Sequence, residues 1–312
     1  MPKYAKEQTA GAPGATDRPG ERLEETLRRL AARIEAALEV FLPSGENYAG
    51  PVVEAMRYSL LAPGKRVRPA LTLLCAELCG KKSGGVIEAA AAVEMIHTAS
   101  LILDDLPCMD DSALRRGRET LHHHAGEATA ILAADALLMQ GFNLIGRAVA
   151  AAGLSAGQAG KLVIEAADCV GVPGMIGGQW RDLNPGEKSL EVLEYIHSHK
   201  TGRLFTLSAT LGARLAGTGE REVECLAGYA KNLGLAFQII DDILNFEAAA
   251  EALGKDSGSD SRKVTFVTAF GIESARKVAS ELVDTSKQSL AFFGARAGLL
   301  LQLADYVYRR KK

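Results

Sequence analysis

The sequence predicts an all-α protein, and three observations support this fold class. Helix-favouring alanine, leucine, glutamate, lysine and arginine are abundant, whereas only 5% of the 312 residues are aromatic and ten are proline. Apolar residues recur at intervals of three and four along most of the chain, as in amphipathic helices. No segment longer than a few residues alternates with the period of a strand. Because no change in composition divides the chain, we expect one helical domain with a large core.

Proline and glycine separate the predicted helices. Residues 1–20 are rich in Gly, Pro, Ala and Thr and lack periodicity, so we expect a disordered leader before a domain over 21–312. We predict helices over 21–41, 51–61, 68–79, 86–105, 126–147, 156–172, 189–215 and 220–246, with further helix through Tyr308. A polar loop is expected over 254–260.

Two segments have an unusual composition. The helix over 86–105 is apolar on nearly every face, which predicts a position in the centre of the bundle rather than at its surface. The segment Gly171–Gly178 holds four glycines and one proline, so the chain is expected to bend or to pack closely there.

The bulk properties exclude several classes of partner. A net charge of −2 and a pI near 6.3 give no support for nucleic acid. The five cysteines are odd in number and form no Cys-x-x-Cys pair, so we expect buried free thiols in a reducing cytosol. No uninterrupted apolar run reaches 18 residues, so no membrane span is expected. The N-terminus lacks a basic-then-apolar signal, and we expect a cytoplasmic protein.

An acidic cluster ends the central apolar helix. Asp104, Asp105, Asp110 and Asp111 place four acids within eight residues, and these acids repel one another unless a cation neutralises them. Acids at a helix C-terminus also oppose the helix dipole, so they are poorly placed for stability alone. The alternative is a helix end followed by a solvated acidic turn, which is the usual interpretation of an isolated Asp-Asp pair.

A second acidic cluster lies far downstream. Asp241 and Asn245 are four residues apart, so they share a helix face about 5.4 Å apart, and Asp242 flanks that face. Oxygen ligands without His or thiolate partners select a hard cation, and Mg²⁺ is the usual choice when phosphates complete its shell. Two facing carboxylate clusters would hold a diphosphate between them through shared metal ions.

Basic residues accompany the acids at several helix ends. The run Gly64–Pro69 places three cations in a rigid turn, where glycine permits close backbone approach. His97 lies seven residues before Asp104, roughly 10 Å back along the same helix face. Taken singly, a basic turn is common on surfaces and a lone His on an apolar helix is usually a core residue. Together these groups indicate diphosphate heads at the rim of an apolar cavity.

With these motifs, the chain from about Leu23 onward resembles the trans-isoprenyl diphosphate synthases of the polyprenyl synthetase family. The matching motifs are Gly64–Pro69, Met95–Asp105, Arg115–Gly117, Gly178–Leu183, Lys200-Thr201, Phe237–Asp242 and Gly254-Lys255. The first acidic motif is similar to the longer form, Asp-Asp-x4-Asp, of bacterial and plant members.

The resemblance implies a fold, a reaction and an assembly. The fold is a single-domain bundle of long antiparallel helices around a central apolar cavity, the isoprenoid synthase type I fold. The implied reaction is the head-to-tail condensation of isopentenyl diphosphate with an allylic diphosphate (dimethylallyl, geranyl or farnesyl). Three Mg²⁺ ions assist ionisation of the bound allylic diphosphate in such enzymes, and family members form homodimers.

The resemblance also implies residue roles. The metal ligands would be Asp104, Asp105, Asp110, Asp241 and Asn245. The allylic diphosphate would contact Arg115, Lys200 and Lys255, with Thr201 and Gln238 in support. The diphosphate of isopentenyl diphosphate would contact Lys65, Arg68, His97 and Arg116. The catalytic set would then be Asp104, Asp105, Asp110, Arg115, Lys200 and Asp241.

Three positions depart from the family pattern. Asn245 stands where the second motif usually ends in Asp, and an amide oxygen carries no charge, so metal affinity there is expected to be lower. Leu103 replaces a His common before the first acidic pair, and also occurs in bacterial geranylgeranyl diphosphate synthases of carotenoid pathways. Glu119 stands where Pro is common after the Arg-Arg-Gly run.

Two small residues predict the product length. Ala99 and Ser100 lie five and four residues before Asp104 on the same helix, and in this family an aromatic residue at these positions closes the cavity at the C15 length. We therefore expect C20 geranylgeranyl diphosphate, with C15 farnesyl diphosphate as the alternative. A non-catalytic subunit is a second alternative, hinted at by Asn245. A terpene cyclase is a third, but it would not need Lys65, Arg68 and His97.

Overall fold

The computed structural model describes residues 19–45, 48–80, 84–186, 189–253 and 265–310. The helices are α1 (Pro19–Phe41), α2 (Gly50–Leu60), α3 (Val67–Leu78), α4 (Val86–Asp104), α5 (Leu121–Ala125), α6 (Glu127–Ala151), α7 (Ala156–Val170), α8 (Met175–Leu183), α9 (Leu190–Ile196), α10 (Arg203–Leu215), α11 (Glu220–Leu253), α12 (Phe266–Phe270), α13 (Ile272–Ser289) and α14 (Gly298–Arg309). A π-helical turn spans His197–Gly202, a 3₁₀ segment spans Ala291–Ala297, and two short strands are β1 (Leu114–Arg115) and β2 (Arg118–Glu119). Most of the predicted leader, Gly254 and Lys255 lie outside the described residues.

Helix α4 lies at the centre of the bundle, as its composition predicts. It packs against α1, α3, α6 and α10, and the side chains of Ala89–Ala92 are fully buried. The contact with α6 is close because Gly141 has no side chain: a Cβ there would lie 2.9 Å from Ile96 Cγ1. Small residues at this crossing bring α6 alongside the helix that carries the first acidic cluster.

Strands β1 and β2 form a hairpin that the helical periodicity does not predict. Arg115 pairs with Arg118 in an antiparallel register, and the connecting residues Arg116 and Gly117 have φ values of 54° and 76°. Two successive residues with positive φ match the right-handed twist of a two-residue hairpin. The hairpin therefore fixes the direction of Arg115 and Arg116, both predicted to bind substrate.

The predicted helix over 189–215 is interrupted in the structure. Helix α9 ends at Ile196, and the π-helical turn His197–Gly202 precedes α10. A π turn closes its hydrogen bonds over one residue more than an α-helical turn does, and such turns often occur at functional sites. Helix α11 continues to Leu253, beyond its predicted end at 246.

The core has two parts that meet along α11. The larger cluster includes residues of α1, α3, α4, α6, α10 and α14, while a smaller one joins α9, α11, α12 and α13. The end of α4 and the middle of α11 are thereby held at fixed positions, and the two acidic clusters sit on these elements.

Two helices of the described residues have the length and composition of membrane spans. Helices α4 and α6 are each long and apolar enough to cross a membrane, and the bent pair Ile272–Ser289 with Ala291–Arg309 passes the same test jointly. In the structure 61% of the α4 window and 39% of the α6 window are buried within the protein. The expected absence of a membrane span stays a prediction.

All five cysteines are free thiols, in agreement with the absence of a disulfide pattern. Cys75 and Cys169 are buried, and burial raises the pKa of the Cys169 thiol to about 12. The expectation that the thiols are buried is wrong for Cys108, which is exposed in the loop after α4. Pro107 stops the helix just before it, so the chain there turns outward.

Candidate active site

The loop after α4 folds back and brings Asp110 to Asp104. The Asp110 backbone N–H donates to the Asp104 carbonyl at 3.0 Å, and the Ser112 N–H donates to the Asp105 carbonyl at 3.2 Å. Asp111 adopts a φ of 47° within this turn, a conformation that Asp tolerates better than most residues. The first and third acids of the Asp-Asp-x4-Asp motif therefore lie together, as their predicted shared role requires.

Asp105 has a different environment from its neighbour. Its side chain is only 5% exposed, and Arg115 Nε donates to both of its carboxylate oxygens at 2.8 and 2.9 Å. Burial lowers the pKa of Arg115, but the hydrogen bonds and charge of Asp105 outweigh it and raise that pKa overall. Both Asp105 oxygens therefore accept from Arg115, and the charges of Asp104 and Asp110 also act on this guanidinium.

Lys200 lies between two carboxylates at the end of the bundle. Its Nζ is 3.4 Å from Asp104 Oδ2 and 2.7 Å from Asp182 Oδ2. Burial lowers the pKa of Lys200, but Asp104 and Asp182 together outweigh burial and raise it. Lys200 is therefore a fixed positive charge beside the first acidic cluster, in the position predicted for a diphosphate contact.

Asp182 is a site residue that the sequence reasoning did not assign. It lies within the matching motif Gly178–Leu183, which was the available signal, but the motif by itself does not show what this carboxylate faces. Asp182 also raises the pKa of Asp242 on α11 by charge repulsion. It therefore lies between the two acidic clusters.

Gly178 determines how closely α8 approaches the π-helical turn. A Cβ at Gly178 would lie 2.2 Å from the Lys200 backbone nitrogen, far inside any permitted contact. Asp182 follows Gly178 by four residues, one helical turn, and so points at the same turn of chain. The close packing predicted for the glycine-rich segment is confirmed at this position.

Helix α11 carries a hydrogen-bonded series of polar side chains. Thr201 Oγ1 donates to Gln238 Oε1 at 2.9 Å, and Gln238 Nε2 donates to Asp242 Oδ1 at 3.0 Å. The other carboxylate oxygen of Asp242 is buried without a hydrogen-bond partner. Burial, with repulsion from Asp241 and Asp182, raises the pKa of Asp242 to about 6. Thr201 and Gln238 therefore orient the Asp242 carboxylate through its Oδ1. No hydrogen bond or lysine or arginine side chain of the described residues compensates its Oδ2.

His197 is the nearest basic side chain to that unpartnered oxygen. Its Nε2 lies 3.6 Å from Asp242 Oδ2, but burial lowers its pKa to about 4. The imidazole is therefore neutral at pH 7 and does not compensate the Asp242 charge.

Asp241 lies near cations, including one predicted for isopentenyl diphosphate. Arg310 Nη2 lies 2.6 Å from Asp241 Oδ1. Burial and the charge of Arg310 lower the pKa of Lys65, and the charge of Asp241 opposes them. Arg310 was not predicted, because its position just after the last helix gives no sequence signal of this contact. Asn245 is exposed one turn further along α11.

Three of the predicted isopentenyl diphosphate contacts come together around His97. Arg68 Nη1 donates to His97 Nε2 at 3.4 Å, and the Arg68 guanidinium lies 4.6 Å from the centre of the Phe205 ring. Burial lowers the pKa of Arg68 to about 10, so it stays charged at pH 7. Burial, with repulsion from Arg68 and Arg116, lowers the pKa of His97 well below its ordinary value. His97 is therefore a neutral imidazole among cations, and its Nε2 accepts from Arg68.

Arg116 reaches this group over Gly64. A Cβ at Gly64 would lie 2.7 Å from Arg116 Nη1, so a larger residue there would displace the flexible end of this side chain. The Arg116 guanidinium therefore packs closely against the backbone at Gly64.

The acidic residues fit a hard cation that retains ligands from substrate or water. In the described chain, no group of three His, Cys, Asp or Glu side chains forms a ready-made metal cage. Carboxylates lie instead in two facing sets, and one oxygen of Asp242 is buried without a partner. Such carboxylates fill only part of the coordination shell of a metal ion. They suit Mg²⁺, because phosphate oxygens of a substrate can complete its shell.

The two small residues beneath Asp104 differ in burial. Ala99 is 3% exposed and belongs to the main core, whereas Ser100 is half-buried and donates its hydroxyl to the His97 carbonyl at 2.8 Å. Neither side chain extends more than two heavy atoms from the helix backbone.

The bundle is all-α, and carboxylates and cations from several helices meet at the end of its apolar core. This arrangement is that of the prenyltransferases that act on diphosphates. The chain belongs to the polyprenyl synthetase family, which it matches over residues 51–292. This confirms the family predicted from the motifs.

Relatives of known name are similar over most of the chain. The chain is 44% identical over 288 residues to geranylgeranyl pyrophosphate synthase 11, chloroplastic, of Arabidopsis thaliana, covering 89% of this chain and 80% of the relative. It is 46% identical over 263 residues to the chloroplastic geranylgeranyl pyrophosphate synthase of Capsicum annuum, covering 82% and 71%. It is 42% identical to a dimethylallyltranstransferase of Fischerella ambigua (strain UTEX 1903), covering 92% and 84%.

Solved structures confirm the fold. The chain is similar to an FPP/GFPP synthase from Zymomonas mobilis with a TM-score of 0.82 and 31% identity, covering 93% of this chain and 99% of that one. A geranyltransferase from Legionella pneumophila has a TM-score of 0.82 and 30% identity, covering 94% and 99%. The predicted all-α fold class is therefore correct.

Proposed function

We propose that the protein condenses isopentenyl diphosphate with an allylic diphosphate and releases C20 geranylgeranyl diphosphate. The observation that carries the product length is the pair of small residues, Ala99 and Ser100, beneath Asp104 on α4. Relatives named geranylgeranyl pyrophosphate synthases support the same product.

The allylic diphosphate binds at the end of α4. Asp104 and Asp110 would hold metal beside it, and Lys200, which Asp182 holds in place, contacts the diphosphate directly. Arg115 remains anchored to Asp105 and offers its remaining N–H groups. Fixed cations stabilise the charge that develops on the departing diphosphate more effectively than mobile water does. Lys255 is proposed as a further contact.

Mg²⁺ would be held by Asp104 and Asp110 on one side and by Asp241, with Asp242 nearby, on the other. When bound, the metal neutralises charge on the leaving diphosphate and makes ionisation of the allylic carbon–oxygen bond easier. Three ions are proposed, as expected for the family. We propose Asn245 as a weaker ligand, because its amide oxygen carries no charge.

Isopentenyl diphosphate binds in the cationic group beside α3. Lys65, Arg68 and Arg116 supply charge to its diphosphate. Neutral His97 accepts from Arg68 at Nε2, so its Nδ1–H is the group it can donate. The double bond of this substrate attacks the allylic cation, and the proton then lost is taken by the departed diphosphate. No side-chain nucleophile takes part in this sequence.

The assembly proposed is a homodimer formed through α6. Helix α6 is apolar enough to pass for a membrane span. Within it, Leu132 is 55% exposed and Met139 is 60% exposed. These residues are seven apart and share one face, which a second copy would cover. A cytoplasmic location without nucleic-acid partners is also proposed, and the five free thiols support it.

The proposed reaction is tested by incubating the purified protein with Mg²⁺, labelled isopentenyl diphosphate and each allylic primer in turn. Elongation that stops at C20 is expected. A C15 end point supports the farnesyl alternative, and no elongation with any primer overturns the enzymatic proposal. In the last case the non-catalytic subunit becomes the better explanation, and restored synthesis on mixing with an active synthase would support it.

A further inference from the structure

Arg66 lies inside the diphosphate-binding turn but has no role in the proposed chemistry. Its side chain is 1% exposed, and its Nη2 donates to the carbonyls of Leu60 and Ala62 at 3.0 and 2.8 Å. Its Nη1 donates to Glu94 Oε1 at 2.5 Å. The guanidinium therefore joins the end of α2 to the middle of α4.

The backbone of Arg66 is also unusual. Its φ and ψ of 49° and 35° lie in the left-handed region, which a residue with a long side chain seldom adopts unless its surroundings hold it there. This single residue changes the chain direction between Lys65 and the start of α3 at Val67. Arg68 follows on the first turn of α3. The conformation of Arg66 therefore sets the relative positions of Lys65 and Arg68.

Glu94 is the acid that Arg66 contacts most closely, and Glu35 of α1 lies farther off, 3.7 Å from Arg66 Nε. Glu94 is 2% exposed and lies three residues before His97, on the same face of α4. Its charge acts on Arg68 and Arg116 as well, raising the pKa of each against the effect of burial. One buried carboxylate thus faces three arginines, only one of which it holds by a direct hydrogen bond.

We propose that the Arg66–Glu94 pair positions the second substrate's diphosphate without touching it. The pair holds the turn so that Lys65 and Arg68 converge with His97, and the Glu94 charge allows three arginines to gather around one site. This inference rests on the proposed function for the identity of the substrate. The competing explanation is a pair that contributes only to folding stability.

Arg66→Lys and Glu94→Gln separate these explanations. A lysine keeps the charge but loses the forked contacts to Glu94, Leu60 and Ala62. We expect the KM for isopentenyl diphosphate to rise about tenfold in each variant, as when one charge-assisted contact is misplaced. The KM for the allylic substrate should stay within about twofold of the unaltered protein. Equal rises in both KM values, or no rise in either, would overturn the proposal.

Arg214→Lys provides a matched control. Arg214 also makes forked contacts, to Glu165 at 2.9 and 2.8 Å, but on α10 away from the site. The same substitution there should leave both KM values unchanged. If it raises the isopentenyl diphosphate KM as much as Arg66→Lys does, a general loss of stability explains the effect.

A paired substitution guards against misfolding. Replacing both residues by methionine removes a buried ion pair without leaving either charge alone, a change that folded proteins often tolerate. We expect the Arg66→Met, Glu94→Met protein to fold and still to bind isopentenyl diphosphate about tenfold more weakly. Normal affinity in this folded variant would refute a positioning role.

Calorimetric titration with isopentenyl diphosphate alone makes this test independent of turnover. If the unaltered protein fails to elongate any primer, the proposed reaction fails. The affinity difference between the unaltered protein and the variants still decides the role of the pair: a difference supports it, and equal affinities, including no binding by any of them, refute it.

Discussion

Arg310 Nη2 lies 2.6 Å from Asp241 Oδ1, so a cation from the end of the last helix is paired with an acid predicted to bind metal. The Arg310 side chain is only 4% exposed. It also donates to the Phe237 carbonyl at 2.7 Å, and its guanidinium lies 3.7 Å from the centre of the Phe237 ring. Arg310 is thus paired with the carboxylate that we propose as a Mg²⁺ ligand, so the two cations would compete for it.

Removing Arg310 should therefore lower the Mg²⁺ requirement. In Arg310→Ala, Asp241 loses its internal cation, and we expect half-maximal activity at a Mg²⁺ concentration several-fold lower than in the unaltered protein. The measurement is initial rate against Mg²⁺ at saturating substrates. Arg309→Ala is the control, because its side chain is exposed. A higher Mg²⁺ requirement in Arg310→Ala would show that Arg310 assists binding instead.

Gly178→Ala should reduce activity through Lys200. The new Cβ would lie 2.2 Å from the Lys200 backbone nitrogen, so α8 and the π-helical turn must separate. Overpacking of this kind costs about 1–3 kcal/mol, and we expect kcat to fall at least tenfold because Lys200 moves from Asp104. Rates and Tm are measured together.

Gly160→Ala is the matched control for that substitution. Nothing lies within 4 Å of a Cβ at Gly160, which is in α7, and alanine favours a helix interior over glycine by about 1 kcal/mol. We expect a small rise in Tm and unchanged kcat. Similar losses of kcat in both variants would contradict the role assigned to Gly178.

Ala99→Tyr should shorten the product to C15. The position lies five residues before Asp104, about 7.5 Å along the helix axis, and a phenol ring there would block growth beyond the farnesyl length. Product lengths are resolved chromatographically. Ser100→Ala adds no bulk and should leave the product unchanged, while a C20 product from Ala99→Tyr would refute the proposed chain-length position.

Glu220 should contribute acid-dependent stability away from the site. Hydrogen bonds from Arg214 and Lys161 lower the pKa of this exposed acid from 4.5 to about 2. A group whose pKa is lowered on folding adds stability that is present above its unfolded value and is lost as the pH falls toward the folded one. The contribution is therefore present above about pH 4.5 and disappears by about pH 2.

Thermal unfolding of Glu220→Gln tests this window. At pH 7 the variant should have a slightly lower Tm than the unaltered protein, because exposed ion pairs contribute little. The difference should shrink as the pH falls below about 4.5. A difference that is constant from pH 7 to pH 3 would argue against an ionised Glu220.

Local patterns in the sequence determined the helices and the composition of the site. Apolar residues on nearly every face of α4 predicted its central position, and the boundaries of α3, α4 and α7 lie within two residues of those predicted. Neighbouring positions on one helix or turn, such as Asp104 with Asp110, were also readable, because helix geometry and short loops keep them together. The roles of these residues remain predictions.

Only the tertiary structure decided which charges meet. Asp182 reaches Lys200 across 18 residues and Arg310 reaches Asp241 across 69, and Arg115 pairs with Asp105. Each pairing depends on how α8, α11 and α14 pack and on where a π-helical turn or a hairpin redirects the chain. The position of a charged residue in the sequence does not specify its ion-pair partner. The strength of an ion pair depends on burial and on the distance between the two groups in the folded chain.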